Sequence, residues 1–357
     1  MTTTRHQTLT NWGAYELETD GRDITAVHPF AKDPDPSPIG QSLKAVRRSR
    51  VARPSIRESW YRHGPGASPE LRGQEPFVEV SWDEALDLLA TELDRVRSRY
   101  GNEAIFGGSY GWASAGRFHH AQSQIHRFLN SIGGYTYSVD DYSIAAGHVI
   151  TPHVFGCSLD DFLDEQPHFL DISENTELVV AFGGMPLKNS QVQYGGQGRH
   201  MLSSYLDLCH DRGVRFVNLS PLREDLTESL EAEWIPLRPA TDTALMLGIA
   251  HSLLDSDAHD EAFLERYCVG WPQLDAYLTG ADDGVAKTAE WAETVTGVAA
   301  STIRNLAADM ASHRTLIAVS WSVQRNDHGE QPYWMAAALA AMLGQIGLPG
   351  GGLGYGY

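Results

Sequence analysis

The chain has 357 residues, and 46 acidic against 27 basic side chains give it a formal net charge of −19. Its content of 42% hydrophobic and 10% aromatic residues excludes a disordered chain and is enough for the cores of roughly two domains. The acidic balance argues against nucleic-acid and anionic-membrane partners, because phosphates are bound by clustered Lys and Arg. No run of about 18 apolar residues occurs, so we expect no membrane insertion.

The first residues and the cysteines bear on compartment and cofactors. Residues 1–7 lack the apolar core of a secretory signal and a pair of arginines, which predicts a cytoplasmic protein, or a periplasmic one if the natural start lies upstream. Cys157, Cys209 and Cys268 are widely spaced and form no C-x-x-C pair. This spacing disfavours structural zinc and an iron–sulfur cluster, and it favours buried, unreactive thiols.

Turn signals dominate the first part of the chain. Asp20-Gly21 separates two strand-like stretches, 12–17 and 24–27, which predicts a β-hairpin. The tract Asp33–Pro38 has to be extended or turning, because a residue before proline avoids the helical conformation. We therefore expect residues 1–60 to form a β-rich segment that wraps over another part of the protein.

Helices and strands alternate from Ser81 onward. Ser81 and Glu84 have the spacing of a capping box, and apolar residues follow at helical intervals as far as Gly101. Apolar runs at 104–106, 178–182, 214–219 and 316–319 are typical of buried strands, and helical patterns lie at 122–132, 201–212, 243–254 and 302–310. Such alternation predicts an α/β fold of the doubly wound type, with a parallel sheet covered on both faces.

The predicted strands end in glycine or in a polar turn, and the loops that follow begin at Gly107, Gly183, Ser220 and Ser320. Ligands of parallel sheets bind beyond the carboxyl ends of the strands. Glycine there allows close backbone approach, and Lys188, Arg223 and Arg325 could neutralise phosphates. Each glycine could also be a simple turn residue. Because neither G-x-G-x-x-G nor a P-loop pattern is present, the residues alone predict only a phosphate-bearing ligand.

Other chemistries have weaker support in the sequence. Histidines recur between residues 119 and 153, but no H-E-x-x-H pattern accompanies them, which favours structural histidines over a zinc site. Ser143 lies in no G-x-S-x-G pattern, so a hydrolase nucleophile is disfavoured. The carboxylates within 160–165 are typical of a solvated face.

Four segments carry a family resemblance: GGSYGWASAGRFH at 107–119, Tyr142-Ser143 with 149–156, WIPLRPATD at 234–242, and WSVQRNDHGEQ at 321–331. Together they resemble the molybdopterin oxidoreductases of the dimethyl sulfoxide reductase type, in the branch of the biotin sulfoxide and trimethylamine N-oxide reductases. The similarity extends from about Trp12 to the last residue. It implies a dimethyl sulfoxide reductase-like α/β fold and a molybdenum cofactor, bis(molybdopterin guanine dinucleotide), without an iron–sulfur cluster.

The resemblance implies roles for residues next to the metal. Ser143 would supply an oxygen ligand, and a hard oxygen donor suits high-valent molybdenum better than a thiolate does. Tyr110 and Trp112 correspond to the family's pair beside the metal, where a phenolic O–H and an indole N–H could hold the transferring oxygen. Taken alone, Ser143 is an ordinary turn serine, and the two aromatics fit core packing equally well.

Further residues are implied as cofactor contacts, namely Trp112, Lys188, Ser220, Pro221, Asp242, Arg325, His328 and Gln331. Lys188 would neutralise a pyrophosphate, and Asp242 would accept two hydrogen bonds from guanine, a pattern that a carboxylate suits. Asp242 also precedes a predicted helix, so a role at the helix N-terminus is an equal alternative, and both roles are compatible.

The implied reaction is reduction of an S-oxide, of the biotin sulfoxide or methionine sulfoxide type, with electrons from an unidentified donor. Alternatives are a respiratory trimethylamine N-oxide or dimethyl sulfoxide reductase, and a non-catalytic nucleotide-binding remnant. After the wrapping segment 1–60 we expect part of a molybdenum active-site domain at 61–165. A dinucleotide-binding-like domain at 166–357 would bind one guanine dinucleotide. The family continues past the glycine-rich 348–357 stretch into a β-barrel-like domain, so we expect a fragment of a larger enzyme.

Overall fold

A computed structural model of the protein describes residues 4–109, 114–116 and 118–357. The predicted site aromatics Tyr110 and Trp112 lie outside the described residues. The chain divides into two compact units, Met1–Val139 with Val192–His200, and Asp140–Gln191 with Met201–Tyr357. The division at residues 60 and 165 that the sequence suggests stays a prediction.

The first unit contains an antiparallel sheet, whose strands are β1 (Thr4–Thr10), β2 (Gly13–Thr19) and β3 (Ile24–Pro29), in that order. The predicted hairpin is confirmed, with Leu17 opposite Val27. The carboxylate of Asp20 accepts the backbone N–H groups of Arg22 and Asp23 at 2.9 and 2.8 Å. An aspartate thus closes the turn because its short side chain can bond to the backbone two and three residues on.

The other elements of the first unit are α1 (Val46–Ser49), β4 (Ser55–Arg57), α2 (Glu58–His63), β5 (Phe77–Glu79), α3 (Trp82–Tyr100) and α4 (Ala121–Ser131). The start and end of α3 are as predicted, since the Ser81 hydroxyl accepts the Glu84 N–H and Gly101 follows the helix at φ 81°. The predicted strand at 104–106 is wrong. Residues Asn102–Ala104 form a 3₁₀ turn, and Phe106 makes only an isolated bridge. Three apolar residues are too few to hold a strand that finds one bridging partner.

Residues Val192–His200 belong to the first unit although they lie between elements of the second. The imidazole Nδ1 and the backbone N–H of His200 contact the two oxygens of the Asp33 carboxylate at 2.6 and 2.8 Å. Both side chains are buried. The carbonyl of Gly195 accepts the N–H of Gly116 at 3.0 Å. Residues Val192–His200 are therefore hydrogen-bonded both to the N-terminal segment, at Asp33, and to residues 114–116, at Gly116.

The second unit is a mixed α/β structure. Its elements are α5 (Ala145–Phe155), α6 (Leu159–Glu165), α7 (Phe169–Asn175), β6 (Leu178–Phe182), α8 (Leu187–Ser190), α9 (Leu202–Asp211), β7 (Arg215–Leu219), β8 (Glu233–Ile235), α10 (Asp242–Asp255), α11 (Glu261–Tyr267), α12 (Trp271–Thr279), α13 (Ala289–Thr296), α14 (Ala300–Ser312), β9 (Thr315–Val319), α15 (Glu330–Met342) and β10 (Gly352–Tyr355). The strands form one sheet in the order β10-β9-β6-β7-β8, and every pair is parallel. The predicted α/β fold with a parallel sheet is confirmed.

Apolar layers cover both faces of this sheet. Val180 lies beside Val217 and Ile317 in the register, and all three belong to the core shared with α10, α14 and α15. The next position along the strand, Val179, packs in the opposite layer with residues of α7 and α9. Because side chains alternate between faces, a strand buried on both sides needs a continuous apolar run. All five residues of β6 are buried accordingly.

The cysteines differ from the expectation in part. Cys209 is buried, and its burial raises the pKa of the thiol to about 11, which keeps it protonated and unreactive. Cys157 and Cys268 are half-buried instead, so the prediction of buried thiols is wrong for these two. Both lie just beyond the ends of helices, Cys157 after α5 and Cys268 after α11. In the described part of the chain no helix is long and apolar enough to cross a lipid bilayer.

Candidate functional site

The loops after β6, β7 and β9 meet at the carboxyl edge of the parallel sheet. The N–H of Gly183 donates to the carbonyl of Leu219 at 2.8 Å, and the N–H of Ser320 donates to the carbonyl of Phe182 at 2.9 Å. This is the edge at which ligands of parallel sheets bind. The predicted contacts that the three loops carry are Lys188, Ser220, Pro221, Arg325, His328 and Gln331.

Two glycines shape the first of these loops. Gly183 and Gly184 have φ values of 80° and 70°, a conformation that side chains with a Cβ rarely adopt. A Cβ on Gly184 would lie 2.4 Å from the carbonyl oxygen of Asp225, and one on Gly183 would lie 2.9 Å from the Cβ of Ser320. The loops therefore approach one another as closely as their backbones permit, which answers the question that the sequence left open. These two glycines are more than simple turn residues.

Gly184→Ala is expected to destabilise the chain by more than about 2 kcal/mol, because it adds a steric overlap to the cost of a left-handed backbone. Gly213→Ala is the matched control, since Gly213 has φ 85° but no atom within 4 Å of a built Cβ. Its loss is expected to be about 1–2 kcal/mol, the backbone cost alone. Urea unfolding of both variants measures the difference, and equal losses would contradict the close approach of the loops.

Lys188, Asp225 and Ser220 form a small polar group at this edge. The ammonium of Lys188 lies 3.6 Å from the Asp225 carboxylate, and its side chain is 70% exposed. Such an exposed pair is worth about 0–1 kcal/mol, so the lysine can turn to another anion at little cost. The buried Ser220 hydroxyl donates to Asp225 at 2.6 Å and accepts the N–H of Leu222. The hydroxyl of Ser220 therefore shapes the loop, and Pro221 beside it is exposed.

The segment 234–242 packs against the same loop. The indole N–H of Trp234 donates to the Ser220 carbonyl at 2.9 Å. Asp242 is the first residue of α10 and is only 8% exposed. Burial raises the pKa of its carboxyl to about 6, and only its own backbone N–H opposes that effect. The effect of burial on this acid thus outweighs the bond from its own N–H, and Asp242 also occupies the predicted position at a helix N-terminus.

The turn that contains Ser143 contacts the loop after β9. The carbonyl of Ser143 accepts a bond from the Gln324 side-chain amide at 3.1 Å and one from the Arg325 guanidinium at 3.3 Å. The N–H of Ser143 donates to the Asp141 carboxylate at 2.6 Å. Among the predicted site residues, the structure thus brings Ser143 and Arg325 into contact, although they are 182 residues apart in the sequence.

His328 and Gln331 lie at the start of α15 and are exposed. His328 adopts φ 55°, and its carbonyl accepts the N–H of Gln331 at 3.0 Å. Their contacts with a cofactor stay predictions.

Sequence reasoning missed two residues of this edge, Asp225 and Gln324. Asp225 binds Lys188 and Ser220, and Gln324 binds the Ser143 turn. Asp225 follows closely after Arg223, a residue that the sequence predicts in the loop after β7. Its place in the same loop could therefore have been predicted. Gln324 stands within the recognised segment 321–331, but only the fold shows that its side chain reaches back to residue 143.

Two family models match nearly the whole chain. The family described as "Molybdopterin oxidoreductase" matches residues 50–356, and its "Molybdopterin oxidoreductase N-terminal domain" matches residues 8–47. Acetylene hydratase from Pelobacter acetylenicus has a similar fold, with a TM-score of 0.63, 21% identity, and coverage of 94% of this chain and 42% of that chain. At this identity the likeness concerns the fold alone.

Curated relatives are similar over almost the whole chain. "Biotin sulfoxide reductase" from Cereibacter sphaeroides is 49% identical over 93% of this chain and 45% of its own length. "Dimethyl sulfoxide/trimethylamine N-oxide reductase" from the same organism is 41% identical over 97% and 42%. "Trimethylamine-N-oxide reductase" from Haemophilus influenzae is 38% identical over 98% and 42%. The chain therefore spans less than half the length of these relatives. It belongs to the molybdopterin oxidoreductase family, in the branch that its motifs indicated.

Proposed function

We propose that this chain is part of a molybdenum-dependent reductase that converts an S-oxide of the biotin sulfoxide or methionine sulfoxide type into the thioether. The observation that carries the proposal is the convergence, at one sheet edge, of the Ser143 turn, the Arg325 loop and the close-packed glycine loops. The 49% identity to a biotin sulfoxide reductase favours an S-oxide. Relatives with N-oxide activity in their names support a trimethylamine N-oxide or dimethyl sulfoxide reductase as the second candidate.

Family membership implies a molybdenum–pterin cofactor, and the residues of this edge fit its guanine dinucleotide form. Asp242 is a carboxylate whose pKa is raised by burial, as expected of a group that pairs with a ligand. The glycine loops lie at the carboxyl edge of the sheet, where parallel sheets bind their ligands, and Lys188 is exposed beside them. We propose bis(molybdopterin guanine dinucleotide) without an iron–sulfur cluster, since the three cysteines form no C-x-x-C motif.

When bound, this group supplies two-electron redox chemistry and acceptance of an oxygen atom. We assign Ser143 as the protein's ligand to the metal, and Tyr110 and Trp112 as hydrogen-bond donors to the substrate oxygen. Lys188 holds a pyrophosphate, and Asp242 holds a guanine. The remaining proposed cofactor contacts are Ser220, Pro221, Arg325, His328 and Gln331, with Trp112 serving the cofactor as well.

The overall reaction balances without an acid–base pair from the protein. The S–O bond of the substrate breaks, and its electron pair stays on sulfur. Two protons and two electrons, the only electrons that the donor supplies, convert the oxygen to water. The electrons come from a donor protein or small molecule that stays unidentified. The task of the chain is to orient the S-oxide and to donate hydrogen bonds to its oxygen as charge develops there.

Metal and nucleotide analysis tests the proposal. The full-length protein, purified from a host that synthesises the cofactor, is expected to contain molybdenum and guanine nucleotide, with two nucleotides released for each metal atom. Finding neither would contradict the cofactor assignment. Nucleotide without molybdenum would favour the non-catalytic remnant, and turnover of amine N-oxides without turnover of S-oxides would favour the second candidate.

A further inference from the structure

Helix α5 begins at Ala145, two residues after Ser143, and its N-cap residue makes no side-chain capping bond. Its N-cap residue is Ile144, whose side chain cannot accept a hydrogen bond. The carboxylate of Asp141 accepts the N–H groups of Ser143 and Ile144 at 2.6 and 3.4 Å. The N–H of Gly147, in the first turn of the helix, is left for a partner from elsewhere in the fold.

That partner is the side chain of Gln324. Its Oε1 accepts the Gly147 N–H at 3.0 Å, and its Nε2 donates to the Ser143 carbonyl at 3.1 Å and to the Tyr333 hydroxyl at 3.2 Å. Gln324 is buried, at 5% exposure, so these bonds do not compete with water. One amide group thus joins both ends of the stretch 143–147.

The backbone of Gln324 is closely packed. Gly329 approaches so closely that a Cβ there would lie 1.9 Å from the Gln324 carbonyl oxygen. On the other side, a Cβ on Gly147 would lie 3.1 Å from a ring carbon of Tyr333, so α5 and α15 are in close contact. A buried side chain that is closely packed at its base and makes three hydrogen bonds at its tip is suited to define the position of the turn that it holds.

We propose that Gln324 is the positioning residue for Ser143. It fixes the carbonyl of Ser143 and the first turn of α5, and it thereby sets the direction in which the Ser143 side chain leaves the backbone. The inference rests on the proposed role of Ser143 as the ligand to the metal. An outer residue of this kind orients a ligand without touching the metal, and its loss alters the geometry of the site more than the fold.

The chain offers a matched control in Gln345. This residue is also buried, at 9% exposure, and it bonds two backbone groups in the same way. Its Oε1 accepts the N–H of Thr315 at 2.7 Å, and its Nε2 donates to the carbonyl of His313 at 2.8 Å. These groups lie at the amino end of β9, whereas Gln324 lies beyond its carboxyl end. Gln324→Met and Gln345→Met therefore each remove two side-chain bonds to the backbone, at opposite edges of the sheet, and Gln324→Met also removes the bond to the Tyr333 hydroxyl.

Amide hydrogen exchange of the 357-residue chain without cofactor gives the first measurement. Gln324→Met is expected to speed exchange of the Gly147 amide by about fivefold or more, the factor for one lost hydrogen bond, while Gln345→Met leaves it unchanged. Should Gln324→Met fail to fold, Gln324→Glu takes its place. A carboxylate keeps the acceptor for Gly147 but presents an oxygen instead of a donor to Ser143, so Gly147 stays protected while the position of Ser143 changes.

The electron paramagnetic resonance spectrum of molybdenum in the loaded protein gives the second measurement. We expect the spectrum to change in Ser143→Ala and in both Gln324 variants, and to be that of the unaltered protein in Gln345→Met. A changed Ser143→Ala spectrum with an unaltered Gln324→Met or Gln324→Glu spectrum would overturn the positioning role alone. An unaltered Ser143→Ala spectrum would overturn the proposed ligand. Unchanged exchange of the Gly147 amide in Gln324→Met would contradict the hydrogen bond from the Gly147 N–H to the Gln324 side chain.

Discussion

Ser143→Ala is expected to abolish most S-oxide reduction in the cofactor-loaded protein while leaving the fold intact. Loss of a residue that only supports a metal ligand costs about 10–100-fold in activity, and loss of the ligand itself is expected to exceed that range. Two hydrogen bonds that place Ser143 use its backbone N–H and carbonyl, which alanine retains. The substitution therefore removes the oxygen donor without removing the turn. Steady-state kcat and kcat/KM with an S-oxide substrate measure the effect.

A serine at the opposite edge of the sheet provides the control for this substitution. Ser312 ends α14, just before the start of β9, and its hydroxyl donates to the carbonyl of Ala308 at 2.7 Å. Ser312→Ala is expected to leave kcat/KM unchanged. Equal activity in Ser143→Ala and Ser312→Ala would show that Ser143 is a turn serine and no ligand. Circular dichroism of both variants checks that the fold is retained.

Asp242→Asn is expected to stabilise the chain without cofactor and to weaken its hold on guanine. Burial raises the pKa of Asp242 from 3.8 to about 6, so the ionised carboxylate destabilises the folded state at neutral pH. The shift corresponds to about 3 kcal/mol at pH 7, which an uncharged amide of similar size avoids. The same amide offers one acceptor oxygen in place of two, so less guanine nucleotide is expected to copurify with the variant.

The effect of Asp242→Asn on the free energy of unfolding is expected to depend on pH. Because the pKa is higher in the folded chain than in the unfolded one, protonated Asp242 carries no penalty below pH 3.8, and the penalty develops as the pH rises through about 6. Asp242→Asn and the unaltered chain are therefore expected to unfold at similar urea concentrations near pH 4 and to separate by pH 7. The exposed Asp255 at the far end of α10 is the control, since Asp255→Asn is expected to change stability by less than about 0.5 kcal/mol. A constant difference from pH 4 to pH 7 would contradict the burial effect.

Local patterns in the sequence predict those elements whose signal lies within the element itself. The runs at 178–182, 214–219 and 316–319 form strands because a parallel strand covered on both faces favours mostly apolar side chains. The end of α3 can be predicted from Gly101, because glycine adopts a positive φ, here 81°, without the steric cost of a side chain. The strand β10 escapes such reasoning, since glycines weaken strand signals. Close packing accounts for one of them, because a Cβ on Gly354 would lie 2.4 Å from the hydroxyl of Tyr357.

The sequence by itself thus determined the α/β class, the family motifs and the chemical types of the proposed site residues, because these depend on residue identity and on short spacing. Only the tertiary structure decided the strand order, the return of Val192–His200 to the first unit, and the contact of Gln324 with Ser143 across 181 residues. It also decided that Asp242 is buried and its pKa raised. Burial and long-range hydrogen bonds are properties of the surroundings of a side chain, and the folded chain supplies those surroundings from residues that lie far apart in the sequence.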